Sequence, residues 1–156
     1  MSRRVARSPL LPLTLANALT WAIFGLSSPG AFSKGWLIGN AVFGAFAAFV
    51  GLAEVQARYS LPRAIAGALL SVTIYIGDFA LIYANLGTTH NWSHRLGRVD
   101  ALYIALGTFT TAGTGSLTAT SNLTRGLLSL QMGTGVLIAA FVIGGLAARV
   151  SRSVTP

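Results

Sequence analysis

A short stretch of threonines and alternating glycines, TFTTAGTGS at residues 108–116, lies in a chain that carries only 3 acidic residues. Its main-chain carbonyls and the hydroxyl of Thr111 are oxygen donors that can replace the hydration shell of a cation. Successive carbonyls can face one way only if some residues adopt left-handed dihedrals, which glycine reaches without a Cβ clash. Gly113 and Gly115 supply that alternation. The stretch therefore predicts a cation site built from backbone oxygens.

The composition of the chain indicates that its solvent is lipid. Of the 156 residues, 53% are hydrophobic and 9% are charged, and the mean hydropathy is +0.68, whereas a soluble domain carries about 25% charged residues. The net charge of +8 comes from basic residues that stand singly or in small groups, as topology signals do, so it does not indicate a nucleic-acid partner. The absence of cysteine excludes disulfides and thiolate metal sites.

Four apolar segments approach the roughly 20 residues that a membrane-spanning helix needs. They are residues 9–26, 36–53, 64–86 and 126–148. The first follows a basic N-terminus, as in a signal peptide, but no A-x-A cleavage site follows it. We interpret it as a retained helix, which together with the second segment forms an N-terminal hairpin.

The distribution of basic residues predicts that both termini lie in the cytoplasm of a multi-pass plasma-membrane protein. With the N-terminus inside, seven basic residues fall on the cytoplasmic side and four outside, in agreement with the positive-inside rule. The cytoplasmic set is Arg3, Arg4, Arg7, Arg58, Arg63, Arg149 and Arg152, and the outer set is Lys34, Arg95, Arg98 and Arg125.

A half-length helix is predicted at residues 101–111, immediately before the glycines. Its 11 residues would cover about 16 Å, which is too short to cross a bilayer. Asp100 is suited to cap its first turn. A half-length helix followed by a polar loop is typical of a re-entrant segment, because irregular backbone at membrane depth must be buried in protein or line a water-filled path.

Residues 100–148 resemble the pore module of tetrameric potassium channels and their bacterial relatives. In that family an outer helix, a pore helix, a T-x-G-x-G filter and an inner helix follow in sequence. The usual filter is T-V-G-Y-G-D, and this chain has T-A-G-T-G-S from Thr111 to Ser116. Arg125 stands where many relatives have a basic residue opening the inner helix, and Gly135 stands where many have a hinge glycine.

The resemblance implies an all-α membrane protein with four transmembrane helices, a re-entrant pore helix and a homotetrameric pore. Residues 1–60 would form the N-terminal hairpin and 61–156 the pore module. It implies a bacterial potassium channel rather than an enzyme, with lipid and monovalent cations as partners and no cofactor besides the permeant ion. The implied K⁺ ligands are the backbone oxygens of Thr111, Ala112, Gly113 and Thr114, with Gly115 completing the filter, Ser116 and Arg125 at the outer mouth, and Gly135 as a gating hinge.

Two filter positions depart from the family pattern and leave alternatives open. Thr114 replaces an aromatic residue that packs behind the filter, which leaves a void for another group to fill. Ser116 replaces an aspartate of the outer mouth. Gly107 adds a flexible position to the pore helix. We predict potassium conduction, with a non-selective cation channel and a non-conducting scaffold or accessory subunit as the alternatives.

Several polar residues outside the filter have two interpretations each. Asp78 within the third span is either a functional carboxylate or one that is neutral or hydrogen-bonded against neighbouring helices. Gln131 either bonds behind the pore helix or faces the next subunit. His90 and His94 have the spacing of metal ligands but no third ligand nearby in sequence, so a solvated loop is the favoured interpretation.

Overall fold

A computed structural model describes residues 10–28, 30–58 and 60–154, and these form five helices. The predicted cytoplasmic residues Arg3, Arg4 and Arg7 lie outside the described residues. The helices are α1 (Leu10–Leu26), α2 (Lys34–Arg58), α3 (Leu61–Asn85), α4 (Arg98–Phe109) and α5 (Asn122–Val154). No strand occurs among the described residues, where an isolated bridge joins Trp92 to Ala119.

Three of the described helices are long and apolar enough to cross a membrane, and they coincide with three of the four apolar segments predicted as spans. They contain the segments Gly35–Ala53, Leu61–Asn85 and Asn122–Ser151. The helix α1 is apolar but has 17 described residues, which correspond to about 25 Å of helix. That α1 spans the membrane remains a prediction.

The central element is α3, which packs against each of the other four helices. Two glycines allow the N-terminal helices to approach it closely. A Cβ added to Gly77 would lie 2.9 Å from Cγ2 of Thr20 on α1, and one added to Gly44 on α2 would lie 2.8 Å from Oδ2 of Asp78. These are small-residue contacts of the kind that membrane helices use to pack without a hydrophobic driving force.

An aromatic stripe on α3 connects the end of α4 to the connector between α3 and α4. Tyr75, Phe79 and Tyr83 follow at intervals of four residues, and their ring centroids are 5.0 and 5.9 Å apart. Phe109 at the end of α4 continues the series at one end, 5.9 Å from Tyr75, and Trp92 at the other, 5.5 Å from Tyr83. The stripe is buried apart from Phe109. Its packing therefore fixes α4 relative to the connector between α3 and α4.

Gln131 joins α3, α4 and α5 through hydrogen bonds in the core. Its Nε2 donates to the carbonyl of Ala105 on α4 at 3.0 Å, and its Oε1 accepts from the Tyr83 hydroxyl at 2.7 Å. The Tyr75 hydroxyl donates to the Gln131 backbone carbonyl at 3.0 Å. The side chain of Gln131 is fully buried. The interpretation that it bonds behind the half-length helix is therefore confirmed.

Replacing Gln131 by leucine should destabilise the protein, because the buried Tyr83 hydroxyl would lose its partner. We expect Gln131→Leu to lower the free energy of unfolding by about 1–3 kcal/mol, measured by chemical denaturation in detergent micelles. The double variant with Tyr83→Phe should be less destabilised than the sum of the single variants, because removing both partners leaves no unpaired group. Additive effects would contradict the contribution of this hydrogen bond.

Candidate functional site

The half-length helix expected from the sequence is α4, with 12 residues or about 18 Å. It begins at Arg98, earlier than predicted, and its N-cap is Gly97 rather than Asp100. Asp100 still satisfies a first-turn donor, but from within the helix: its Oδ2 accepts the Gly97 N–H at 2.8 Å. A carboxylate at the third helical position can reach back over the turn in this way, which is why its sequence position did not reveal the helix start.

The segment after α4 places every second residue in the left-handed region. The φ angles are +60° at Thr111, +88° at Gly113 and +61° at Gly115. The two glycines were predicted to adopt such dihedrals, and this is confirmed. The value at Thr111 was not anticipated, because a β-branched residue is rarely found there. A left-handed threonine costs roughly 1–3 kcal/mol and is typical of functional loops. Because Thr111 is not helical, α4 ends at Phe109 rather than at residue 111.

The segment 110–116, hereafter the filter loop, approaches α4 closely at Gly107. The Gly113 N–H donates to the Gly107 carbonyl at 3.1 Å. A Cβ added to Gly107 would overlap the Gly113 carbonyl oxygen and would lie 3.4 Å from the Gly113 carbonyl carbon. Because the oxygen is nearer to that position than the carbon, the Gly113 carbonyl points at Gly107. Gly107 is therefore a required close-approach position, whereas the sequence indicated only a flexible one.

Tyr103 stands beside the filter loop one helical turn before Gly107. A Cβ added to Gly115 would lie 3.0 Å from the Tyr103 hydroxyl oxygen and 3.5 Å from its Cε1. Because residues four apart share a face of a helix, Tyr103 and Gly107 both face the loop. Gly115, the residue after Thr114, thus has an aromatic neighbour on α4, which the spacing of filter residues alone did not reveal.

Most of the filter loop makes little contact with the rest of its own subunit. Thr111, Ala112, Gly115 and Ser116 are exposed. Gly113 and Thr114 are half-buried. A loop next to membrane-spanning helices cannot leave its backbone in hydrocarbon, so this surface needs protein or water beside it.

The segment that follows the filter loop is attached to the connector between α3 and α4. The Ser93 N–H donates to the Thr118 carbonyl at 2.8 Å, and the Thr120 N–H donates to the Asn91 carbonyl at 2.8 Å. Arg125, in the first turn of α5, donates from Nε to the Ala119 carbonyl at 3.1 Å. Arg125 therefore lies close to the segment that follows Ser116. Its position at an outer mouth remains a prediction.

The proposed hinge residue Gly135 is buried against the end of α4. A Cβ added there would lie 3.2 Å from Cδ2 of Phe109 and 3.6 Å from its carbonyl oxygen. The glycine thus allows α5 to pack closely where the half-length helix ends. Its role as a gating hinge remains a prediction.

The remaining candidate residues lie elsewhere. His90 and His94 are exposed, and no group of three metal-ligating side chains occurs in the part of the chain that the structure describes. Asp78 faces the N-terminal helices: its Oδ1 accepts a hydrogen bond from Thr20 of α1 at 3.4 Å, and its Oδ2 lies against Gly44 of α2. The interpretation of Asp78 as an acid hydrogen-bonded to neighbouring helices is thereby supported.

Comparison with known proteins agrees with this arrangement of elements. No curated protein and no solved structure gives a significant match to the chain. A protein-family model described as "Ion channel" matches residues 68–152, which is more than half of the 156 residues. The matched region extends from α3 through α4 and the filter loop into α5. The chain therefore belongs to this ion channel family.

Proposed function

We propose that the protein is a passive cation channel in which four copies of the filter loop surround a central axis. The observation that carries this proposal is the alternation of left-handed residues at Thr111, Gly113 and Gly115, directly after a half-length helix. Such alternation allows carbonyls of neighbouring residues to point to one side. In a homotetramer, four copies of the filter loop would present rings of backbone oxygens to a cation.

The electrostatics of α4 favour a cation at that position. The C-terminal end of a helix carries a partial negative charge, and α4 ends at Phe109, directly before the filter loop. In a tetramer, four such ends would approach the axis together. The proposed ligands are the backbone oxygens of Thr111, Ala112, Gly113 and Thr114, with Gly115 completing the loop.

The exposed side of the filter loop supports an oligomer. It would lack a partner in an isolated subunit, whereas in a tetramer it would line a water-filled path. The proposed assembly lies in the plasma membrane of a bacterium, with both termini in the cytoplasm and lipid around α1 and α2. Exposed apolar side chains on α5, among them Val136, Leu137 and Ile143, would face either lipid or neighbouring subunits.

We propose that K⁺ is preferred over Na⁺, because Tyr103 gives the filter loop an aromatic support that Thr114 does not. This support would hold the ring of oxygens at one diameter. Ser116 leaves the outer mouth without an acidic ring, and the outer side carries Arg95, Arg98 and Arg125. These positive charges lower the local cation concentration, so we expect a small conductance.

The direction of the Gly113 carbonyl has a consequence for conduction. In the described conformation this oxygen points at Gly107 and is unavailable to an ion on the axis. Conduction through all the proposed rings would require the peptide between Gly113 and Thr114 to rotate. We propose that the described conformation is a closed one.

A second candidate function is that of a non-conducting scaffold or accessory subunit that retains the pore fold. The observations that favour it are the turned carbonyl of Gly113 and the replacement of two family residues at Thr114 and Ser116. This candidate differs from the first in a single measurable property, the current.

The purified protein in planar bilayers should carry cation current under a potassium/sodium gradient. We expect a reversal potential displaced toward the potassium equilibrium potential, because rings of carbonyl oxygens would replace the hydration shell of K⁺ better than that of Na⁺. A reversal potential near zero would remove the selectivity. The absence of current from intact oligomers would favour the scaffold. A reversal potential that follows the chloride gradient would contradict both the potassium channel and the non-selective cation channel.

Replacing Gly107 by alanine should increase the current. The added methyl group would overlap the Gly113 carbonyl oxygen, and overpacking of this kind costs about 1–3 kcal/mol. That cost falls on the proposed closed conformation, so we expect the open fraction, measured in single-channel recordings, to rise about tenfold.

Gly126→Ala is the matched control, because a Cβ at Gly126 on α5 would meet nothing within 4 Å. It should leave the open fraction unchanged. An unchanged or reduced current from Gly107→Ala particles that elute at the wild-type size would contradict the proposed closed conformation.

A further inference from the structure

A cavity of about 290 Å³ lies between α1, α2 and α3, separate from the filter loop. Its lining is apolar apart from the side chains of Thr20, Asn40, Ser71 and Asp78. Such a concentration of polar groups among membrane helices requires explanation, because polar groups that face hydrocarbon without partners are costly.

Two of these groups lack adequate hydrogen-bond partners. The Asp78 carboxylate accepts one long bond from Thr20, at 3.4 Å, although a carboxylate can accept about four. The Nδ2 of Asn40 is buried and has no hydrogen-bond partner. Asn40 and Gly44 are four residues apart on α2, and Gly44 is the residue that lies against Asp78 Oδ2. The amide and the carboxylate therefore share one cavity.

Among the described residues of the cavity lining, the charge of Asp78 has no basic partner. The described helix α1 contains no charged residue. The other charged residue of α3 is Arg63, about 22 Å away along the helix. The charged residues of α2 are Lys34, Glu54 and Arg58, which lie toward its ends. An ionised Asp78 therefore needs a counter-charge that the lining does not provide.

The unpaired groups limit the chemistry of a ligand. The carboxylate needs a positive charge, and the amide N–H of Asn40 needs an acceptor. An organic ammonium offers donors only, and protonation of Asp78 brings no new acceptor for the amide. A metal cation that retains a water molecule offers both the charge and an acceptor oxygen. A divalent ion would exceed the single negative charge of Asp78, which favours a monovalent one.

We propose that this cavity binds a monovalent metal cation together with water. Asp78 supplies the charge, the hydroxyl oxygen of Thr20 supplies a further ligand, and Asn40 donates to the bound water. The Ser71 hydroxyl, about 10 Å from Asp78 along α3, donates to the Gly67 carbonyl at 2.9 Å, which leaves its lone pairs for water elsewhere in the cavity. The volume is sufficient, since one water occupies about 30 Å³. The site does not depend on the proposed conduction.

The test is a melting experiment on the full chain in lipid nanodiscs at mildly alkaline pH. NaCl and KCl are titrated separately against N-methyl-D-glucamine chloride at constant ionic strength. A ligand that binds the folded state raises its stability with concentration. We expect the wild-type Tm to rise by about 2–4 °C with at least one of the two ions, and that rise to be reduced or lost in Asp78→Asn. Any rise that persists in Asp78→Asn belongs to ions bound elsewhere, such as in the filter loop.

Two further variants distinguish a binding site from a packing contact. Thr73→Ala removes a hydrogen bond between α1 and α3, that of Asn17 to Thr73 at 2.9 Å, without touching the cavity lining, and it should keep the wild-type ion response. Asn40→Ala keeps the charge of Asp78. It should raise the ion concentration needed for the rise in Tm about tenfold, and it also tests the site if Asp78→Asn does not fold.

Two results would overturn the proposal. One is an ion response of Asp78→Asn equal to that of the wild type for both salts. The other is a wild-type Tm that responds to pH and to neither salt, which would show that a proton alone neutralises Asp78.

Discussion

The constraint on which the structure depends is that irregular backbone at membrane depth must not face hydrocarbon. The filter loop meets this constraint partly by bonding to its own helix, since Gly113 donates to Gly107. That approach is possible only because position 107 has no side chain. The rest of the loop is exposed in the single subunit, and this is why the proposed function requires further copies around it.

The supporting structure behind the loop is polar as well as apolar. The aromatic stripe of α3 contacts the end of α4 through Tyr75 and Phe109, and Gln131 bonds to Tyr83 and to Ala105. Such a buried and satisfied network specifies one arrangement of helices, because any other arrangement would leave its members unpaired. The connector, through Asn91 and Ser93, fixes the segment that follows the loop. The loop is therefore held on both sides by elements of the same chain.

The sequence predicted the features that depend on local chemistry. Apolar length located α2, α3 and α5, and the spacing of Gly113 and Gly115 located the left-handed residues. The left-handed Thr111 could not be predicted, because the surrounding loop overrides the preference of a β-branched residue. The contacts of Gly107 with Gly113 and of Tyr103 with Gly115 depend on how the chain returns along α4, which no periodicity records. The early start of α4 was missed because Asp100 caps from inside the helix.

The proposed channel requires that backbone oxygens of the filter loop surround a cation on an axis of fourfold symmetry. Cryo-electron microscopy of the purified protein in potassium-containing lipid nanodiscs tests it most directly. We expect a tetramer with the loops of residues 110–116 facing the axis and ion density beside their carbonyls. A particle without fourfold symmetry, or one whose loops lie at the periphery away from the axis, would contradict it.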